Sequence, residues 1–278
     1  MEYVWLKDKI VPRQEAFIHF DDRGYYFGDG IYEVIQVYNG QPFLFHEHFE
    51  RFLRSAQELD MSLPFSINEI KENTRLLLQK NEINNGYAYI QMTRGEQVRD
   101  HLYSRDICPV ITAFTKEAEV PADKQKSGIS LWAAEDIRWL RCDIKTINLL
   151  GNVLAKRKAE DNHCEEALQH RGHTVTEGSS TNIFMVKKGV IYTHPANHLI
   201  LNGITRQNVV NLAKNERFPV YEEAFSLEEI MDADEIFVTS TTLEIVPVVN
   251  IKGSIEISLQ PGTVTRKLQQ AFKEQTSA

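Results

Sequence analysis

IYEVIQVYNGQPFLFHEHFERFLRSAQEL, residues Ile31 to Leu59, changes backbone regime twice within one run. Ile31 to Tyr38 is rich in β-branched and aromatic residues. Asn39-Gly40 then supplies the residues a tight hairpin turn prefers, and Gln41 to Phe45 returns as a second strand. From His46 onward Phe49, Phe52, Leu53, Ala56 and Leu59 recur at helical spacing, so a helix follows the hairpin directly. Further along, Ser66 with Glu69 three residues on forms a capping box that opens a second helix. Tyr87 to Thr93 and Ile107 to Thr115 read as strands, nearly apolar on both faces and therefore central in a sheet.

The same alternation resumes after KEAEVPADKQKSG, Lys116 to Gly128, which is polar, contains a proline and has no apolar period. That stretch marks a boundary: an α/β domain over 1–116, a linker over 117–128 and a second α/β domain over 129–278. The second domain holds a strand at Ile129 to Ala134 and a helix from about Ile147 to Asn162. A hairpin at Asn182 to Thr193 turns at Lys187 to Gly189, a helix opens near Thr205, and a closing helix follows Pro261-Gly262. Two domains also suit a length of 278 residues, which exceeds what one core usually organises.

The composition, 42% apolar and 25% charged, is that of a globular protein. A formal net charge of -8 argues against affinity won by neutralising nucleic-acid phosphates. The opening MEYVWLKDKIV is broken by charges and has neither the apolar core of a signal peptide nor a spanning length, which places the protein in the cytoplasm. Cys108, Cys142 and Cys164 are widely spaced and have no His at zinc-ligand distance, so they read as reduced structural thiols with no metal site.

Four places could carry chemistry by residue type alone. Lys145, in RCDIKTINLLGN, sits between apolar neighbours; such a lysine is usually solvated, but one placed in an apolar pocket loses its charge readily and can form a Schiff base. Glu177 precedes a turn-like Gly-Ser-Ser run, where a surface carboxylate is the plain expectation from residue type. LNGITR, Leu201 to Arg206, opens a helix after a glycine, where free N–H groups either take ordinary caps or receive an anion such as phosphate. VTSTT, Val238 to Thr242, offers hydroxyl donors at the end of an apolar strand, although threonine is common in strands for propensity reasons.

In this order, five segments resemble the class IV aminotransferases, a pyridoxal-phosphate family. They are DRGYYFGDGIYEV at Asp22 to Val34, EHFER at Glu47 to Arg51, EDIRWLRCDIKTINLLGNVLAK at Glu135 to Lys156, TEGSSTNIF at Thr176 to Phe184, and FVTSTTLEIVPV at Phe237 to Val248. The likeness is greatest to the members that act on D-amino acids. It implies a two-domain fold with pyridoxal 5'-phosphate at the domain interface, and Lys145 as the lysine that binds the cofactor and moves the substrate proton. It implies Glu177 as partner of the ring nitrogen and Leu201 as the side chain packed on the ring. Arg51, the backbone of Ile204 and Thr205, and Thr241 would form the phosphate cradle. Tyr32, Arg99 and His101 resemble the trio that holds the substrate α-carboxylate. The implied activity is ping-pong transfer of an amino group between a D-amino acid such as D-alanine and a 2-oxo acid such as 2-oxoglutarate, in a homodimer. Branched-chain L-amino acid transamination and aminodeoxychorismate cleavage are the alternatives within the family.

Overall fold

The computed structural model describes residues Met1–Ser277 and divides them into two compact units. The first comprises Met1–Glu119 together with Ile144–Asn148; the second comprises Val120–Asp143 and the chain from Leu149 onward.

In the first unit, β1 (Tyr3–Leu6), β2 (Lys9–Pro12), β3 (Gly30–Tyr38), β4 (Gln41–Pro42), β5 (Gly86–Thr93) and β6 (Val110–Glu117) form an antiparallel sheet in the order β2-β1-β6-β5-β3-β4. The short α1 (Arg23–Phe27) leads into β3, while α2 (Phe45–Glu58) and α3 (Ile67–Lys80) contribute Phe49, Phe52, Ala56, Ile70 and Leu77 to the core shared with Trp5, Ile31, Ile35, Ile90 and Ile111. Asn39 and Gly40 both take positive φ, 51° and 74°, the geometry that makes this dipeptide a hairpin turn. The returning strand is shorter than Gln41 to Phe45. Pro42 has no N–H for the ladder, and Leu44 turns to φ 48° to begin α2. Ser66 caps α3 in a reciprocal pair with Glu69, as the capping box requires. β6 starts at Val110 rather than Ile107, and both β5 and β6 are interior to the sheet.

The second unit contains α4 (Ala122–Ser127), β7 (Ile129–Glu135), α5 (Leu150–Asp161), β8 (Glu166–Arg171), β9 (Thr174–Val175), β10 (Asn182–Lys187), β11 (Val190–Thr193), α6 (Ile204–Asn215), β12 (Val220–Tyr221), α7 (Leu227–Met231), β13 (Glu235–Ser240), β14 (Glu244–Gly253), β15 (Ile257–Ser258) and α8 (Thr263–Ser277). Its mixed sheet runs β12-β11-β10-β13-β14-β7-β8-β9, with β15 beside β14. One face holds a core of Ile129, Leu131, Leu168, Ile183, Met185, Ile236, Val238 and Val246. Phe184 and Phe237 stack at 4.7 Å across β10 and β13, on the side chains of opposite parity.

Two expectations about organisation change. The stretch read as a linker is folded into the second unit from Val120 onward, where Arg266 donates to the carbonyls of Gln125 and Lys126. Lys145 belongs with the first unit, not the second: Tyr32 N–H donates to Lys145 O at 3.0 Å and Ile147 N–H to Gly30 O at 3.0 Å. Because Ile147 is held in that pairing, α5 starts at Leu150 instead of Ile147. Among the described residues no helix is long and apolar enough to cross a membrane.

Candidate active site

β3 sorts its side chains by parity. Ile31, Glu33, Ile35 and Val37 are wholly buried, while Tyr32 and Val34 lie on the other face. On Tyr32's face, the Lys145 Nζ lies 4.1 Å from the Tyr32 ring centroid, a cation held over a π surface, and Tyr32 stacks on Tyr89 at 5.5 Å. Lys145 is half-buried, and its own N–H donates to Ser55 Oγ at 3.3 Å.

Glu33, on the core face, is the residue that holds Arg51. The Arg51 Nε and Nη2 donate to its two carboxylate oxygens at 2.7 and 2.9 Å, and His48 Nδ1 lies 2.7 Å from Oε2. Burial alone would raise the Glu33 carboxyl, but Arg51 and His48 outweigh it and hold it down at about 2. Burial lowers His48, with Arg51 and Lys145 adding to the effect and Glu33 opposing it. The Arg51 guanidinium is thereby fixed by a fork it cannot leave without stranding a buried charge.

Arg99 and His101 come together on one ring. Both are exposed, the Arg99 guanidinium 5.1 Å and the His101 ring 5.5 Å from the Phe27 centroid. The buried Arg23 sets their loop: it pairs with Asp29 at 2.9 Å and donates to the carbonyls of Asp100 and His101. Within the first unit, then, Tyr32 groups with Lys145, and Arg99 groups with His101.

In the second unit Glu177 follows β9 and is buried. It accepts from Arg138 Nη1, from Asn182 Nδ2 at 3.0 Å and from Leu201 N–H at 3.1 Å. Burial pushes its carboxyl up to about 7 against the pull of Arg138. Asp136, which also binds Arg138, goes the other way: Arg138 and Arg171 overcome burial and hold it at about 2. Glu177 is thus a buried carboxyl whose partners are all donors and whose ionised form burial disfavours.

Leu201 follows in the loop before α6, half-buried, and Gly203 caps that helix with no side-chain capping hydrogen bond. The buried Ile204 and Thr205 therefore begin the helix with N–H groups available to an anion. Gly203 leaves room for the Asn182 amide, since a Cβ there would meet Asn182 Oδ1 at 2.2 Å and force that side chain to shift. Thr241 lies half-buried in the turn between β13 and β14. Residue-type reasoning did not single out Glu33, His48, Arg23, Arg138 or Asn182. A carboxylate at a core-facing strand position was the one available signal, because such a group demands a buried cation.

The sequence profile of the amino-transferase class IV family matches residues 30–251. A protein named D-alanine aminotransferase from Staphylococcus epidermidis is 48% identical over 275 residues, covering 99% of this chain and 98% of its own length. Its namesake from Staphylococcus aureus is 47% identical over 275 residues, with the same coverage. Among solved structures, the branched-chain amino acid aminotransferase of Escherichia coli superposes with a TM-score of 0.91 at 26% identity, covering 98% of this chain and 94% of that one. The chain belongs to the class IV aminotransferases.

Proposed function

We propose that this chain is a pyridoxal 5'-phosphate-dependent transaminase that moves an amino group between a D-amino acid such as D-alanine and a 2-oxo acid such as 2-oxoglutarate. The observation that carries the reading is the 48% identity, over nearly the whole of both chains, to a protein named D-alanine aminotransferase. The branched-chain enzyme shares the fold at 26% identity, which favours the D-specific reading over that alternative.

The residues fit the cofactor. When bound, it supplies an electron sink for the electrons of the broken Cα–H bond. Lys145 Nζ would carry it covalently and, once released by substrate, take the α-proton as a neutral amine and return it as the ammonium. Glu177 would hold the ring nitrogen protonated, and its upward shift in the protein alone fits a carboxylate awaiting a cation. Arg51, the N–H groups of Ile204 and Thr205, and Thr241 would hold the phosphate. Leu201 would pack on the ring. Tyr32, Arg99 and His101 would fix the α-carboxylate, and that contact decides which face of Cα–H meets Nζ, hence the handedness.

The setting we propose is the cytoplasm, where the free thiols of Cys108, Cys142 and Cys164 stay reduced. We propose a homodimer, in keeping with the first unit's Phe17, Phe20, Tyr25 and Leu102, each at least 70% exposed. The deciding experiment is a panel of D- and L-amino acids with 2-oxoglutarate. D-alanine should be preferred, and a preference for L-leucine would overturn the assignment.

A further inference from the structure

Asn182 stands first in β10, opposite Thr239 of β13, and only 5% of it is exposed. Its Nδ2 donates twice, to Glu177 Oε2 at 3.0 Å and to Leu201 O at 2.8 Å, while Leu201 N–H donates to the same Glu177 oxygen at 3.1 Å. Both partners of Nδ2 are acceptors, which fixes the orientation of the amide. The amide oxygen faces Gly203, the residue that caps α6. One small side chain therefore bonds the Glu177 carboxylate and the loop before α6 and lies against the Gly203 cap of that helix.

We infer that Asn182 is a positioning residue that couples the carboxylate meeting the cofactor ring to the helix start holding its phosphate. The inference rests on the proposed roles of Glu177 and α6. A carboxamide is required because each bond runs from N–H to an acceptor. The isosteric aspartate would set a second carboxylate against Glu177 and a lone pair against the Leu201 carbonyl, breaking both contacts without changing shape. Alanine would leave Glu177 short of one donor and release Leu201, so the spacing between the two ends would no longer be fixed.

The test titrates cofactor-free full-length protein with pyridoxine and with pyridoxine 5'-phosphate, neither of which has the aldehyde that reacts with Lys145. The ratio of the two dissociation constants measures what the phosphate end contributes. Glu177→Gln should weaken both ligands alike and leave the ratio unchanged, whereas Thr241→Val should reduce the ratio only. Asn182→Asp and Asn182→Ala should do both, each by about tenfold for the loss of one bond to a charged group. Melting temperature is followed in parallel, and Asn182→Asp keeps the comparison intact if the alanine variant folds poorly. Asn182 variants that change pyridoxine affinity with the ratio intact, or that only lower the melting temperature, would overturn the coupling. If Glu177→Gln and Thr241→Val change neither quantity, the roles assigned to the two ends fail, and this inference fails with them.

Discussion

Replacing Glu33 by Gln probes the most enclosed ion pair near the site. The residue is fully buried and binds Arg51 through two hydrogen bonds and His48 through a third contact. Glutamine keeps the shape but points an N–H donor at another donor and removes the carboxylate that both Arg51 and His48 contact, a loss of about 3 to 5 kcal/mol. The ionisation of Glu33 gives a second route to the magnitude. Its carboxyl is held at about 2 against a usual 4.5, and at about 1.4 kcal/mol per unit this corresponds to about 3 kcal/mol. Because the folded value lies below the unfolded one, that stability is present above about pH 4.5 and is lost as the pH falls toward 2. Thermal melting near neutrality should therefore drop by roughly 6 to 12 °C. The gap between wild type and variant should close as the buffer is acidified below pH 4.5, and Arg51→Met should cost markedly less in the Glu33→Gln background than alone. A loss below about 1 kcal/mol, a gap independent of pH, or strictly additive variants would refute the reasoning.

Lys145→Ala should abolish 2-oxo acid formation from D-alanine, and wild-type turnover in that variant would remove Lys145 from its role. Glu177→Gln should slow turnover far more than it weakens cofactor binding, as equilibrium binding and single-turnover rates measured side by side would show. Arg99→Leu should lower kcat/KM for D-alanine by roughly ten- to a hundredfold, the value of a hydrogen bond to a charged group, with the visible absorbance unaltered; unchanged kinetics would mark Arg99 as a solvated loop charge. Glu177 is raised from 4.5 to about 7, so its contribution to stability is greatest below pH 4.5 and is lost as the pH rises through 7. The melting temperature of cofactor-free wild type should accordingly fall relative to Glu177→Gln across that range, and parallel profiles would contradict the shift.

What was legible in the sequence was local. Asn39-Gly40 dictates its turn because both residues tolerate positive φ, and Ser66 with Glu69 dictates a helix start because the two groups satisfy each other's N–H. Leu44 at φ 48° was not legible, since nothing in its side chain favours that conformation; it serves the junction into α2. The family likeness pointed to candidate site residues in both units, but not to what holds them. Arg138 reaches Glu177 across 39 positions and Arg23 reaches the Asp100 carbonyl across 77. Contacts at that separation leave no periodic trace. Nor did any pattern around Lys145 reveal that its segment pairs with Gly30 and Tyr32.

That pairing bears on how the protein is made. β5 occupies one side of β3 from Gly30 to Val37, while β4 covers only Val37 and Tyr38 on the other. The Gly30–Tyr32 margin is closed by Lys145, Thr146 and Ile147. On the ribosome, a sheet assembled once residue 119 has emerged keeps that margin open for the roughly 30 residues still to come, or about 2 to 6 s at ordinary elongation rates. An open strand margin is where nascent chains pair with one another. The tripeptide that contains Lys145 thus also ends the interval in which a neighbouring chain could add a strand there.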